Sequence, residues 1–192
     1  MPDDPLLAAR MSPASSYHTT VDCVTEQGDW NSQHLDVERW LEQAFAETLA
    51  VLDLPFAHHY ECTVVLTDNA HVQTLNATYR QQDKPTNILS FPSLDLVENV
   101  PISALLDTPY VHLGDMFFAY ETVMAEMALL PEGLGWHYYL THLFVHGLLH
   151  LFGYDHEKDA EAEHMEGLEN IILKNMGHPQ PYPTLSFNLK QT

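Results

Sequence analysis

The stretch 146–156, HGLLHLFGYDH, constrains the fold and the chemistry of this chain more than any other. The sequence predicts a helix over 136–152, and on that helix His146 and His150 lie on one face, one turn apart. Gly153 can adopt a positive φ and end the helix, so that the chain turns back and brings His156 towards the first pair. Three converging imidazoles with no evident fourth ligand are typical of a catalytic zinc site, whereas structural zinc sites are closed and rich in cysteine.

The same spacing matches the H-E-x-x-H-x-x-G-x-x-H pattern of metzincin proteases at every position except one. Gly147 stands where those proteases carry the glutamate that acts as general base. A zinc metallopeptidase therefore stays an alternative only if another carboxylate replaces that base. The other alternative, in which the histidines are ordinary surface or core residues, requires ligand spacing to arise by accident.

The metal and the residues around it are predicted from the same stretch. Three neutral imidazoles leave the ion its full charge, which lowers the pKa of bound water to about 7. One zinc ion is the first expectation, with nickel or copper as alternatives because imidazole suits all three. Asp155 is a candidate to accept a proton or orient a ring, and equally to hold the turn through an Asx bond. We expect His142 to pack or to support a ligand rather than to be a fourth ligand.

Length and composition predict one domain with loose ends. The chain has 192 residues, of which 45% are hydrophobic, and a chain of this size hides roughly 70% of its unfolded surface on folding. We expect a flexible arm over 1–16, a domain over 17–178 and a flexible tail over 179–192. Two cysteines are too few for a disulfide framework, and no segment is typical of a signal peptide or membrane span. A cytoplasmic protein without a membrane partner is therefore expected.

Hydrophobic patterning predicts four strands and five helices, separated by turn residues. Asp36 and Asp68 are expected to cap the first two helices, and Pro92 to close an edge strand. A long loop is expected over 93–110. The predicted strands are 17–25, 61–67, 88–91 and 112–120, and the predicted helices are 37–49, 69–79, 121–130, 136–152 and 157–176.

A second block of the sequence is informative because of its charge. It comprises residues 76–92, NATYRQQDKPTNILSFP. The formal net charge is −20, from 27 acidic and only seven basic residues, yet Arg80 and Lys84 lie four residues apart in this block. An acidic surface repels nucleic acid at long range, so a polyanionic substrate needs a local positive site. The planar fork of an arginine matches a phosphate. The alternative is that Arg80 forms a surface ion pair with Asp83 or another nearby carboxylate.

Four motifs together resemble the YbeY family of bacterial endoribonucleases and rRNA maturation factors. They are H-G-x-L-H-L-x-G-Y-D-H at 146–156, N-x-x-Y-R-x-x-D-K-P-T-x-x-L-S-F-P at 76–92, L-G-D at 113–115 and M-E-x-L-E-x-x-I-L at 165–173. The resemblance covers about 60–176 and implies a single α+β domain, with a small mixed sheet of about four strands, about five helices and a zincin-like metal helix. It implies one zinc ion held by His146, His150 and His156, and Arg80 as the residue needed for activity on RNA.

The leading hypothesis is accordingly a metal-dependent endoribonuclease that cuts single-stranded RNA, with Arg80 and Asp155 as catalytic residues. The resemblance also implies work on small-subunit rRNA and in ribosome quality control. Partners would be RNA and the ribosome, or a basic small-subunit ribosomal protein to which an acidic surface is complementary. Besides the metallopeptidase, a non-catalytic assembly factor, whose zinc only ties the last two helices together, stays an alternative.

Overall fold

Four strands form one mixed sheet, in the order β1-β2-β4-β3, in the computed structural model of this chain. The structure describes residues 17–30, 37–55, 58–94 and 109–182. The strands are β1 (His18–Thr25), β2 (His59–Thr67), β3 (Ile88–Pro92) and β4 (Tyr110–Ala119). The helices are α1 (Val37–Val51), α2 (Asn69–Arg80), α3 (Tyr120–Met127), α4 (Trp136–Leu151) and α5 (Asp159–Asn175).

The predicted fold class, a single α+β domain with a small mixed sheet, is confirmed, as are all nine predicted elements. Their ends move by a few residues, since helix and strand termini are the least determined part of any pattern. The predicted arm at 1–16, the cap at Asp36, positions 95–108 of the predicted long loop and the tail from 183 onward lie outside the described residues. Within the described ranges, no helix is long and apolar enough to cross a membrane.

The two outer strands differ in direction. β1 and β4 both run parallel to β2, whereas β3 pairs antiparallel with β4 at the sheet edge and places Ser90 opposite Met116. Pro92, the last residue of β3, has no N–H to offer a further strand, which suits the predicted edge position. The edge strand packs against α4, and its Ile88, Leu89 and Ser90 are buried.

The central helix, α4, lies in the main hydrophobic core because most of its surface is apolar. Its Phe144 meets Phe45 of α1 with ring centroids 6.2 Å apart, and α5 packs against both helices. A smaller cluster, formed by Val72, Leu89 and Ala119, holds α2 against β3 and β4. Burial of α4 thus fixes the histidines on its accessible side relative to the sheet.

Helix α2 has defined caps at both ends. The carboxylate of Asp68 accepts a hydrogen bond from the backbone N–H of His71 at 2.9 Å, as a helix N-cap should. Gln81 adopts the left-handed conformation with φ of 59° and ends the helix. Arg80 is consequently the last helical residue, and its side chain is exposed.

Candidate metal centre and substrate groove

The three predicted ligands lie together. His146 and His150 project from α4, Gly153 adopts a φ of +84°, and the chain turns so that His156 faces the pair. The ring centroids are 4.7 Å apart for His146 and His150, 5.4 Å for His146 and His156, and 5.1 Å for His150 and His156. One nitrogen of each ring lies within 4.8 Å of the other two, and among the described residues this is the group of histidine, cysteine and acidic side chains that could hold a metal.

Hydrogen bonds at Nδ1 determine which nitrogens face the centre. Nδ1 of His146 lies 2.9 Å from Glu169 Oε1, and Nδ1 of His150 lies 2.9 Å from the carbonyl oxygen of Tyr154. Because a carboxylate and a carbonyl only accept, each Nδ1 donates, and a neutral ring then carries its lone pair on Nε2. The two Nε2 atoms are 3.2 Å apart. Both helical ligands therefore present Nε2 to the same point.

The protonation state of His150 suits a ligand. Burial, together with the neighbouring charge of His146, lowers the pKa of His150 to about 4. The imidazole is therefore neutral at pH 7, which is the form that binds metal ions. Three imidazoles that converge in this way fit zinc, and nickel and copper also accept such ligands.

A buried carboxylate that the sequence did not identify holds two of the histidines. Glu169 of α5 is only 1% exposed and bonds Nδ1 of His146 through Oε1 and Nε2 of His142 through Oε2, each at 2.9 Å. Burial alone would raise the pKa of Glu169, but these hydrogen bonds and the charge of the two rings outweigh it and lower the pKa to about 2. Carboxylates in this position orient a histidine ligand and raise its basicity. His142 supports the site through Glu169, as expected, and is not in the group of three.

Gly147 allows α4 to approach the sheet closely. A Cβ atom at this position would lie 2.6 Å from Ile88 Cδ1, 2.7 Å from Met116 Sδ and 2.9 Å from Ser90 Oγ. All three distances are shorter than carbon atoms tolerate without a shift of their neighbours. A glutamate at 147, the base that the protease pattern requires, would therefore force the side chains of Ile88, Met116 and Ser90 to shift.

A groove of about 660 Å³ runs from the histidines across β3 to the end of α2. Its walls combine the three predicted ligands with both cations of the second motif, Arg80 and Lys84, and with small polar side chains of the same motif. The polar residues of the motif and of α3 in the walls are Asn76, Gln82, Thr86, Asn87, Ser90, Thr122 and Glu126. The two sequence motifs, far apart in the chain, thus form one concave surface.

Arg80 reaches this groove without a carboxylate partner among the described residues. The surface pair expected as an alternative is not formed, since the Asp83 carboxylate instead accepts a hydrogen bond from Gln73 Nε2 at 2.8 Å. The loop that follows α2 is held by Asn76, whose Nδ2 donates to the carbonyl oxygen of Lys84 at 2.8 Å. Both cations are exposed, so they can meet a phosphate.

Asp155, the second predicted catalytic residue, also lines the groove, and it is exposed. Its Oδ1 accepts the backbone N–H of the following residue, His156, at 2.8 Å. This contact stabilises the turn that carries the third ligand. Its negative charge also acts on His150, where it favours the protonated ring.

Fold and site together define a small α+β protein in which a three-histidine cluster and an accessible arginine share one groove. The family model described as Endoribonuclease YbeY matches residues 23–177. The chain therefore belongs to the YbeY endoribonuclease family.

Individual relatives agree with this assignment. A protein named Endoribonuclease YbeY from Rhodopseudomonas palustris (strain BisB18) is 44% identical over 170 residues, covering 88% of this chain and 92% of the relative. Another of that name from Dinoroseobacter shibae is 39% identical over 188 residues, covering 95% of both chains. The solution structure of TM1509 from Thermotoga maritima matches with a TM-score of 0.44 and 19% identity, over 86% of this chain and 98% of that one, too distant to support any argument.

Proposed function

We propose that this chain is a metal-dependent endoribonuclease that cuts single-stranded RNA and acts in maturation of small-subunit rRNA. The observation that carries the proposal is the shared groove, which joins three histidine nitrogens to Arg80 and Lys84 in a chain with only seven basic residues. A groove with two accessible cations suits a phosphodiester, and the relatives' name, Endoribonuclease YbeY, supports RNA as the substrate.

The residues of the groove have two roles in this proposal: some hold the metal and others bind the phosphate. His146, His150 and His156 would hold the ion, and zinc is the metal we propose. A zinc ion bound there supplies a Lewis acid and lowers the pKa of bound water to about 7. Arg80 binds the scissile phosphate and offsets the charge that develops on it during cleavage. Asp155 holds the loop of His156 or accepts a proton.

Charge reversal tests the assignment of Arg80. Metal content and cleavage of a single-stranded RNA would be measured for the wild type, Arg80→Glu and His150→Ala, with Arg39→Glu of α1 as the matched control because it is exposed outside the groove. Loss of one group that stabilises transition-state charge lowers the rate by roughly 10²–10³-fold. Arg80→Glu should show that loss and keep its metal, His150→Ala should lose metal and activity, and Arg39→Glu should match the wild type.

The same variants separate the two alternatives. A non-catalytic assembly factor predicts that His146→Ala unfolds the protein and that Arg80→Glu leaves function intact. A metallopeptidase predicts cleavage of an unfolded protein by the purified chain, although Gly147 stands where the usual base would be. Folded Arg80→Glu and His150→Ala variants with full RNA cleavage would overturn the proposal.

Two substitutions refine the chemistry. A 2′-deoxy nucleotide at the cleavage position removes the internal nucleophile, so cleavage of that substrate would rule out attack by the 2′-hydroxyl and leave water as the nucleophile.

Asp155→Asn keeps a side-chain oxygen that can accept the N–H of His156 but cannot take up a proton at neutral pH. Retained activity in this variant assigns Asp155 to the turn, and a loss of activity with bound metal assigns it to proton transfer.

The net charge of −20 bears on how RNA reaches the groove. A nuclease that binds RNA through its own surface carries a basic face, and this composition is strongly acidic. We propose that a basic ribosomal protein of the small subunit brings the chain to its substrate in the cytoplasm, where it also serves ribosome quality control. Association with the small subunit should weaken as salt rises from 50 to 500 mM, and association unchanged by salt would contradict this route.

A further inference from the structure

Glu126 of α3 is a half-buried carboxylate in the wall of the groove, and the function proposed above gives it no role. Its Oε2 accepts hydrogen bonds from the Tyr139 hydroxyl and from Asn87 Nδ2, the latter at 2.9 Å. Its Oε1 accepts no hydrogen bond within the described part of the chain, and Oε1 is not a buried atom. This oxygen is therefore open to a ligand in the groove.

The two donors hold the carboxylate in a fixed position. Tyr139 is buried in α4, and its hydroxyl must donate because a carboxylate oxygen only accepts. The amide of Asn87 is oriented in turn, because its Oδ1 accepts the backbone N–H of Ile88 at 2.8 Å. The backbone carbonyl oxygen of Asn87 also accepts from Ala119 N, at 3.0 Å. Glu126 is thus held by α4 and by the residue that precedes β3.

The bond to Tyr139 anchors Glu126 at a distance from the candidate metal centre. Tyr139 lies seven residues before His146 on α4 and on nearly the same face. Seven residues are about two turns, or roughly 10 Å along the helix axis. When a phosphate lies at the histidines, the base of the same or the next nucleotide can reach a carboxylate at this distance.

Charge decides which part of a nucleotide each wall of the groove favours. Arg80 and Lys84 favour a phosphate, whereas the free oxygen of Glu126 repels a phosphate and favours N–H donors. The other carboxylates in the wall, Asp155 and Glu157, are exposed and lie beside the third histidine. The N–H donors of a nucleobase lie on its Watson–Crick edge, which is free in single-stranded RNA.

Guanine is the base that best matches one free carboxylate oxygen. Each carboxylate oxygen has about two acceptor sites, and both sites of Oε1 are free in the described structure. Guanine has two adjacent donor groups, N1–H and the 2-amino group, which can both bond to one oxygen. Adenine and cytosine offer only an amino group on this edge, and the single N–H of uracil is flanked by two carbonyl oxygens that a carboxylate repels.

We propose that Glu126 is a specificity-determining residue, whose Oε1 accepts hydrogen bonds from the Watson–Crick edge of one unpaired nucleobase and favours guanine. The inference rests on the endoribonuclease function proposed above and adds the base that the groove recognises. It also gives a physical reason for a single-stranded substrate, since a base that is paired with another strand has no free edge to present to Glu126.

The test uses the full-length chain with Zn²⁺ and uridine oligonucleotides that contain one guanosine at a varied position. The cleavage rate at each bond would be mapped relative to that guanosine. Glu126→Gln keeps an oxygen that can accept from Tyr139 and Asn87, but replaces the second oxygen with an NH₂ donor. Glu132→Gln is the matched control, because it removes the same charge from an exposed residue outside the groove. A second substrate series carries 1-methylguanosine, in which a methyl group blocks the Watson–Crick edge.

The wild type and Glu132→Gln should cut one bond, at a fixed distance from the guanosine, roughly tenfold faster than the other bonds, within the range for a good contact to a base edge. Glu126→Gln should lack this preference, and so should the wild type on 1-methylguanosine. Even cleavage by the wild type, or a preference that survives in folded Glu126→Gln, would overturn the inference and leave the nuclease intact.

Urea unfolding shows whether Glu126→Gln is folded, and the modified base tests the inference even if it is not. A preference that persists on 1-methylguanosine would overturn the inference without any variant. A wild type that cleaves none of these RNAs would instead refute the proposed endoribonuclease, and the role of Glu126 with it.

Discussion

Gly147→Ala should destabilise the protein although alanine is the better helix former. In the interior of a helix, glycine costs roughly 0.5–1 kcal/mol relative to alanine, so the exchange would normally stabilise α4. At this position the new methyl group would approach Ile88, Met116 and Ser90 at 2.6, 2.7 and 2.9 Å. Overpacking of a well-packed core costs about 1–3 kcal/mol.

The size of this loss in stability depends on which neighbouring atoms must move to accommodate the new methyl group. Ile88 Cδ1 and Met116 Sδ lie towards the ends of flexible side chains and can move, but β3 and β4 hold the backbones of all three neighbours in register. We therefore take the upper half of the overpacking range, about 2–3 kcal/mol, subtract the gain in helix propensity of about 0.5–1 kcal/mol, and expect a net loss of about 1–2.5 kcal/mol. Gly147→Glu would add a carboxylate to the same buried contact and should prevent folding.

Urea unfolding of the metal-free chain measures this difference, with Gly167→Ala as the control. Gly167 also lies in a helix, α5, but a Cβ atom there would meet nothing within 4 Å. Gly167→Ala should therefore stabilise the protein by about 0.5–1 kcal/mol, opposite in sign to Gly147→Ala. If both variants raise the unfolding midpoint at an unchanged m-value, the close approach of α4 to the sheet is refuted.

Two further predictions concern Glu169, which is buried, and His178, which is half-buried. Glu169→Gln should weaken Zn²⁺ affinity by roughly 10–100-fold. Glu166→Gln, a change on the same helix and in the wall of the same cavity of about 280 Å³, should alter the affinity little. Competition with a chelator compares the two variants. Burial and the charge of His137 lower the pKa of His178 below 6.5, so unfolding takes up a proton there and stability falls as pH drops through 6.5. Urea unfolding at pH 7.5 and 5.5 should show a smaller loss for His178→Gln than for the wild type, and equal losses would contradict the assignment.

Helix α4 and its cluster of three histidines were predictable because several independent signals agreed. The apolar pattern predicted that α4 is a helix, and Gly153 predicted where it ends. The spacing of His146 and His150 predicted that both lie on one face of the helix. The structure brings all three rings together, which a local pattern predicts well since the ligands lie within eleven residues. A local sequence pattern could not predict that Arg80 lies in the same groove as this cluster, because α2 and α4 are brought together through β3 and β4. The expectation that Arg80 acts together with the histidines came from the family resemblance and not from hydrophobic periodicity.

Glu169 was missed although the sequence carried a signal for it. It lies among Met165, Ile172 and Leu173, the buried stripe of α5, where a carboxylate without a partner would be costly. An acidic residue in such a stripe predicts a buried donor, but a single sequence does not say which one. Gly147 was interpreted only as a missing base, because its contacts with Ile88 and Met116 depend on sheet pairing that spacing in the chain does not encode.

The bond between His146 and Glu169 joins the fourth helix to the last one. Synthesis proceeds from the N-terminus, so the ribosome makes α5 after α4. Until α5 has been made and docked, His146 lacks the carboxylate that fixes its ring, even though all three histidines already exist. The candidate metal site is therefore complete only once α5 has docked, and a chain that ends before α5 would carry the three histidines without the carboxylate that orients His146.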